Sequence, residues 1–332
     1  MRVLITGGAG FIGSHLAEHF LKNQHQVAVL DDLSSGTVEN LAPCLANPAF
    51  SFHRNSIFNR ELLSALVADC DLVFHLAAAL GVKRVLQAPV ETLEINVFGS
   101  EQVLRMAAQY ERRVVVASTS EVYGKSAQLP FREDGDLLLG ATGQTRWSYA
   151  CAKAIDEFQA LAWNAHCRLP VSIARIFNTV GPRQSHRMGM VVPNFVRQAL
   201  LDEAITVYGT GEQTRCFTHV ADIVEGLAAM AACDNTIGKV FNLGATTEIT
   251  INQLACMVLE TTGSSSPVLH VPYAQAYAPG FEDTPRRVPD ITRARETFHF
   301  QPLRMLDEML RDVVADQRAR LRLAAHAAVP AQ

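Results

Sequence analysis

The chain has 332 residues, 48% of them hydrophobic and 19% charged, with a formal net charge of −4. Such a length buries a sizeable core in one large domain or in a large domain with a smaller lobe, and the composition is that of a globular protein. The slight acidity, with His and Arg scattered along the chain, excludes the basic field that nucleic acid or an acidic membrane surface would require.

Met1 to Thr6 is a short apolar run with β-branched residues, and His15 to Lys22 repeats apolar residues at helical spacing. Between them stands Gly7-Gly8-Ala9-Gly10-Phe11-Ile12-Gly13, so the glycines fall on a strand-to-helix turn. Gly7, Gly10 and Gly13 have dinucleotide spacing with one extra residue, where missing side chains allow a tight turn and close approach to a pyrophosphate. Free N–H groups and the dipole at the helix start favour phosphate there. A glycine turn alone is also an ordinary loop or cap. Here a second strand, Val27 to Leu30, ends in Asp31-Asp32, eighteen residues after Gly13. A carboxylate at that point accepts hydrogen bonds from the adenosine ribose and repels a 2′-phosphate, which points to NAD rather than NADP. Either aspartate could instead open the loop Leu33-Ser34-Ser35-Gly36; Asp31 is the preferred ribose ligand.

Phe50 to His53 reads as a strand, Arg60 to Ala68 as a helix, Leu72 to Leu76 as a strand, Ala88 to Tyr110 as a long helix and Val114 to Ala117 as a buried strand. Alternation of this kind implies right-handed crossovers and a Rossmann-type, doubly wound parallel sheet, whose cofactor lies beyond the carboxyl ends of its strands. After the fourth strand, His75-Leu76-Ala77-Ala78-Ala79 offers small side chains that leave room for a pyrophosphate or simply pack. After the fifth, Ser118-Thr119-Ser120-Glu121-Val122-Tyr123-Gly124 crowds four hydroxyl groups and a carboxylate at one strand end, which core packing does not explain. Trp147 to Cys167 reads as a helix carrying Tyr149 and Lys153 on one face. Such a pair is usually structural, and its weight here comes from what precedes it.

Val171 to Ile176 is a sixth strand, followed by a loop with Asn178, Gly181, Pro182 and Arg183. Beyond it, Val191 to Asp202, Ala204 to Tyr208, Ala221 to Ala232 and Ile251 to Glu260 suggest a smaller mixed α/β substrate lobe. The division expected is 1–179 mainly for the dinucleotide-binding domain and 180–321 mainly for the lobe. Residues 204–242 partly return to the first domain through Lys239 to Asn242, and 322–332 form an alanine-rich tail. The seven cysteines are odd in number and form no C-x-x-C pair, which argues against a disulfide framework and a zinc site. No metal is expected. Val3-Leu4-Ile5 leaves no room for a signal peptide and no apolar run is of membrane-spanning length, so a cytoplasmic protein is expected.

Taken together, the glycine turn, Asp31, the Ser/Thr-Glu strand end, Tyr149-x-x-x-Lys153 and Gly181-Pro182-Arg183 resemble the extended short-chain dehydrogenase/reductases that modify nucleotide-sugars. Within that superfamily the likeness is greatest to UDP-glucuronate decarboxylases, through Thr119-Ser120-Glu121, Arg146-Trp147-Ser148-Tyr149, Thr214 to Thr218 and Arg286 to Asp290. The resemblance implies an NAD site built from Gly7, Gly10, Phe11, Ile12, Gly13, Asp31, Asp32, Ser35, Gly36, Ser56, Ile57, Leu76, Ala77, Ala78, Asn96, Ser118, Tyr149 and Lys153. It implies a UDP-sugar site built from Arg146, Asn178, Arg183, Val192, Tyr208, Arg215 and Arg287. Asn55-Ser56-Ile57 stands where the family often has an adenine-binding aspartate. Leu137 to Gly140 and Gly189 to Val191 also depart from many decarboxylases. A homodimer through Leu93 to Ala108 and Trp147 to Ala165 is implied by the family alone.

The chemistry so implied oxidises the sugar at C4. Tyr149 removes the hydroxyl proton, and because an ordinary tyrosine has a pKa of about 10, Lys153 must lower it while also binding the nicotinamide ribose. Thr119 hydrogen-bonds near C4. A C4 ketone makes a C5 carboxylate a β-keto acid that loses CO2, and Ser120, Glu121 and Arg287 are suited to reprotonate C5 and to hold the enolate and carboxylate; which is the acid stays open. The product is UDP-xylose or a UDP-4-keto-pentose. The rivals are a UDP-glucuronate or UDP-glucose 4-epimerase, against which Glu121 speaks, and a nucleotide-sugar 4,6-dehydratase, some of which also carry Thr-Ser-Glu. A catalytically silent NAD-binding protein is disfavoured by the presence of both Tyr149 and Lys153.

Overall fold

The computed structural model describes residues 1–327 apart from 82–84, 86, 187–188 and 277–283. In chain order its strands are β1 (Arg2–Thr6), β2 (Gln26–Asp31), β3 (Phe50–Arg54), β4 (Leu72–His75), β5 (Arg113–Thr119), β6 (Val171–Ile176), β7 (Thr179–Val180), β8 (Ile205–Tyr208), β9 (Thr214–Cys216), β10 (Thr218–His219), β11 (Val240–Leu243), β12 (Glu248–Thr250) and β13 (Val268–Val271). Seven of them form one sheet in the order β11-β6-β5-β4-β1-β2-β3, parallel throughout.

The strands read as apolar runs because both faces of the sheet are covered. Val3, Ile5, Val29 and Phe74 point to one face, where they meet Leu16, Ala17 and Phe20 of the helix Phe11–Lys22 and Ile223 and Leu227 of the helix Val220–Ala232. Leu4, Leu30, Val73 and Val116 point to the other, against Leu63, Val67, Val103 and Leu104. The chain starts in the middle with β1, winds outward to β3 and returns on the other side through β4. The winding therefore reverses between β1 and β4, where Thr6 stands in register with His75. A crevice opens beyond the strand ends at such a point.

The helix expected from His15 begins at Phe11, directly after the glycines, because Gly10 caps it. The long helix expected from Ala88 to Tyr110 is interrupted. Pro89–Leu93 is α-helical, Glu94–Phe98 is a π turn, and Gly99–Gln109 resumes the α-helix. The wider turn holds Asn96 fully buried, where its amide receives a hydrogen bond from the Ala79 N–H at 2.9 Å and donates one to the Ala79 carbonyl at 3.0 Å. Periodicity alone cannot show such a turn, since a π turn keeps the apolar stripe approximately in place.

A third cluster joins Val192, Phe195, Ile205, Val207, Leu254, Val258, Leu310 and Val313 from the helices Val191–Leu200, Ile251–Thr262 and Leu306–Ala327 and from β8. β8 pairs in parallel with β13, and β9 antiparallel with β12. The helix Leu306–Ala327 continues past Leu321 into residues read as tail, and 328–332 lie outside the described residues. Among the described residues no helix is long and apolar enough to cross a membrane.

Candidate active site

One cleft of about 1350 Å³ lies between the carboxyl ends of the sheet and the third cluster. A pocket for a single small ligand holds roughly 300–1,000 Å³, so this one has room for two ligands end to end. Gly7, Gly10 and Asp31 line one arm; Ala77, Thr119, Tyr149 and Lys153 line the middle; Arg215, Tyr208, Val192 and Arg287 line the other arm.

The first arm fits a dinucleotide. Gly10 precedes the first helix in extended conformation, the helix start has no side-chain cap hydrogen bond, and its first turn carries no acidic residue. N–H groups thus face the cleft at the positive end of a helix dipole, as a pyrophosphate requires. Gly7 has φ +74°, and a Cβ there would sit 2.6 Å from the Ala77 backbone nitrogen across the crevice. Gly7→Ala is therefore expected to weaken NAD binding at least about tenfold and to cost roughly 1–3 kcal/mol of stability, read by NAD titration and thermal unfolding; unaltered affinity would remove the turn from the cofactor site.

Asp31 is buried at the end of β2. Its Oδ2 accepts the Ala9 N–H at 2.9 Å and its Oδ1 the Leu33 N–H at 2.8 Å, which ties the glycine turn to the second strand and leaves each oxygen a further lone pair. Burial raises its pKa. Asp32 is exposed and accepts the Ser34 N–H at 2.9 Å, so it opens the loop. Ser35, Gly36, Ser56, Ile57, Phe11, Ile12, Gly13, Leu76 and Ala78 also line the cleft.

The hydroxyl cluster after β5 is sorted by geometry. Tyr123 donates to Asn242 Oδ1 at 2.7 Å and stacks on Phe131, so it is structural. Ser118 lines the cleft, but its hydroxyl donates to Glu157, which is itself held by Arg175 through Nη2–Oε2 at 2.7 Å and Nε–Oε1 at 2.9 Å. That buried pair fastens to β6 the helix Trp147–Cys167, which carries Tyr149 and Lys153. Ser118 is thus a support rather than a cofactor ligand through its side chain. Asn96, also expected at the cofactor, does not line the cleft and instead clamps Ala79. Thr119, Ser120 and Glu121 do line it.

Tyr149 is half-buried in the middle of the cleft. Burial pushes its pKa above the ordinary tyrosine value, Glu121 and Asp156 push it further, and the Thr119 hydroxyl pulls it back. This differs from the expectation that Lys153 lowers it. Lys153 Nζ is 2.7 Å from Asp156 Oδ2, with both side chains buried, so its charge is already met.

In the far arm Glu121 lies between two guanidinium groups, Arg287 Nη1 at 3.5 Å from Oε1 and Arg146 Nη1 at 3.9 Å from Oε2. Arg146 also stacks over Trp147, its Cζ 5.1 Å from the ring centroid. Arg215 lines this arm and donates to the Thr214 carbonyl at 2.7 Å; Asn178 lines it and donates to the Cys216 carbonyl at 3.3 Å. Arg183 departs from its expected place. Its guanidinium pairs with Glu18 of the first helix and donates to Ser14 Oγ at 3.3 Å, so it borders the dinucleotide arm. Asp156, Glu157, Arg175 and Asn40, whose side chain donates to the Ala9 carbonyl at 2.9 Å, were not anticipated. The signal for the acids was present: Asp156 and Glu157 follow Lys153 at i+3 and i+4, the spacing of helical partners.

A family model described as GDP-mannose 4,6 dehydratase matches residues 4–313. The chain is 42% identical over 316 residues to a UDP-N-acetyl-alpha-D-glucosaminuronate decarboxylase of Bacillus cytotoxicus, covering 94% of this chain and 96% of the relative. It is 36% identical to UDP-glucuronic acid decarboxylase 1 of Arabidopsis thaliana, covering 97% of this chain and 71% of that protein. Among solved structures, a UDP-glucuronic acid 4-epimerase from Bacillus cereus in complex with UDP-glucuronic acid and NAD superposes with a TM-score of 0.87 at 28% identity, covering 96% of this chain and all of that one.

Proposed function

The chain belongs to the GDP-mannose 4,6 dehydratase family, and from that premise we propose that it is an NAD-dependent UDP-glucuronate decarboxylase. The observation that carries the proposal is Glu121 held between Arg146 and Arg287 in the cleft beside Tyr149. A 4-epimerase has no carbon acid chemistry to do and needs no such group. The names of the relatives support the same choice, because two decarboxylases stand at 42% and 36% identity and the epimerase structure at 28%.

NAD, bound along the Gly7–Asp31 arm, would supply the means of oxidising the sugar at C4 and of reducing it again. Tyr149 takes the C4 hydroxyl proton and Thr119 orients that hydroxyl. Two guanidinium groups around one carboxylate leave a net positive charge, which suits a second carboxylate, that of the substrate. With a carbonyl at C4 the C5–CO2 bond breaks and its electron pair passes into the enolate; C5 then takes a solvent proton relayed through the Ser120 hydroxyl, with the Glu121 carboxylate accepting and passing on the incoming proton. Arg215 and Tyr208 hold the nucleotide diphosphate end.

A second substrate has its own support: UDP-N-acetylglucosaminuronate offers the same C4 hydroxyl and C5 carboxylate, and the relative at 42% identity is named for it. Incubation of the protein and NAD with each sugar is expected to release CO2 from at least one. A C4 epimer without CO2 would move the assignment to epimerase.

We further propose a cytoplasmic homodimer. Val90, Phe98 and Phe158 are 68%, 62% and 70% exposed on the adjoining helices Pro89–Leu93 and Trp147–Cys167 and the π turn, an apolar surface that a second copy would cover.

A further inference from the structure

Lys153 is the end of a buried polar chain that starts beside the glycine turn. Thr6 Oγ1 accepts the Ala77 N–H at 3.5 Å, so its own hydrogen is free for His75 Nδ1 at 2.8 Å. Burial lowers the His75 pKa to about 3, so the ring is neutral and carries one hydrogen. The network assigns that hydrogen to Nε2, 3.0 Å from Ser100 Oγ. The Ser100 hydrogen is then left to face Asp156; burial raises the Asp156 pKa, and Lys153 and the Ser100 hydroxyl pull it back. Asp156 Oδ2 accepts from Lys153 at 2.7 Å. Asp156 thus meets the ammonium through Oδ2 alone, and its buried Oδ1 has no hydrogen-bond partner among the described residues.

We propose that Asp156 is a positioning residue that acts through Lys153: buried beside it, Asp156 fixes the ammonium at the edge of the cleft and cancels its charge, which sets the pH at which Tyr149 gives up its proton. The inference rests on the reading of Tyr149 as the base. The other charges around the phenol are accounted for. Glu121, after β5, faces Arg146 and Arg287. Glu157, beside Asp156, is held by Arg175 of β6. On the helix that bears Ser100, Glu101 pairs with Arg105 near the surface, and Glu91 and Glu94 of the preceding turns are exposed. Asp156 is therefore the buried negative charge that Lys153 answers.

Replacing Asp156 removes a negative charge near the phenol and frees a positive one, and both changes favour tyrosinate. In the NAD-loaded enzyme, Asp156→Asn is expected to move the acidic limb of the kcat/KM–pH profile downward by about one pH unit, and Asp156→Glu to return it toward its original place. A limb that stays put in a folded Asp156→Asn protein, or moves upward, overturns the proposal. Should Asp156→Asn not fold, the pair Lys153→Met and Lys153→Met/Asp156→Asn is titrated with NAD bound, following tyrosinate by ultraviolet difference against matched proteins that also carry Tyr149→Phe. The double variant buries no lone charge, and its phenol is expected to titrate at lower pH than that of Lys153→Met; equal titration overturns the proposal. Turnover retained by Tyr149→Phe alone would remove the base without altering either titration result, so the two failures are told apart.

Discussion

Tyr149→Phe is expected to lower kcat by about three orders of magnitude, inside the roughly 10²–10⁴ that a positioned acid or base contributes, with NAD affinity retained. The hydroxyl stands in the middle of the cleft beside Thr119, and phenylalanine leaves that space without a proton acceptor. The ring and its packing persist, so the lost hydrogen bond costs only about 1 kcal/mol of stability. CO2 release, NAD titration and thermal unfolding together decide the matter. Turnover within tenfold of the parent would show that another group takes the C4 proton.

Glu121→Gln is expected to lower the rate of CO2 release about a hundredfold or more, because it keeps the shape of the side chain and removes the carboxylate that passes a proton toward C5. Its effect on binding runs the other way. Arg146 and Arg287 lose the anion they share, so they attract the substrate carboxylate more strongly and KM for the sugar falls. Transient NADH is expected to persist, since Tyr149 and Thr119 are untouched. The diagnostic measurement is the split between kcat and KM for CO2 release from UDP-glucuronate; a variant that decarboxylates at the parental rate would exclude Glu121 from the carbon chemistry.

The parallel sheet was legible because strands covered on both faces must be apolar along their whole length, as Val114-Val115-Val116 is, and because each is followed by a helical period. That Gly7, Asp31, Tyr149 and Lys153 share one cleft was legible because each stands at or just after a strand end or on the helix that follows, in a pattern few residue types make by chance. What stayed hidden depends on contacts between distant segments. Asn96 and Ser118 carry the right chemistry for a ligand and use it on Ala79 and Glu157 instead. Arg183 follows a Gly-Pro turn expected at the sugar end, yet its backbone at φ +69° and the nearness of Glu18 place its guanidinium at the dinucleotide arm. Asp156 stays hidden for a different reason: Lys153 has both the cleft and Asp156 within reach, and nothing in a linear pattern says which of two partners a buried ammonium will face.

The seventh strand of the sheet bears on how the molecule is made. β11 lies at an edge beside β6, yet the polypeptide between them builds β8 and the helix Val191–Leu200 before it comes back. During synthesis, which proceeds from the amino end, the nascent slab keeps a naked border along β6 until Leu243 has left the ribosome. By then the helix Val191–Leu200 and β8, on the far side of the cleft, have also emerged. Maturation of the two halves is thus interlocked, and the catalytic crevice assembles late, when both of its banks are present.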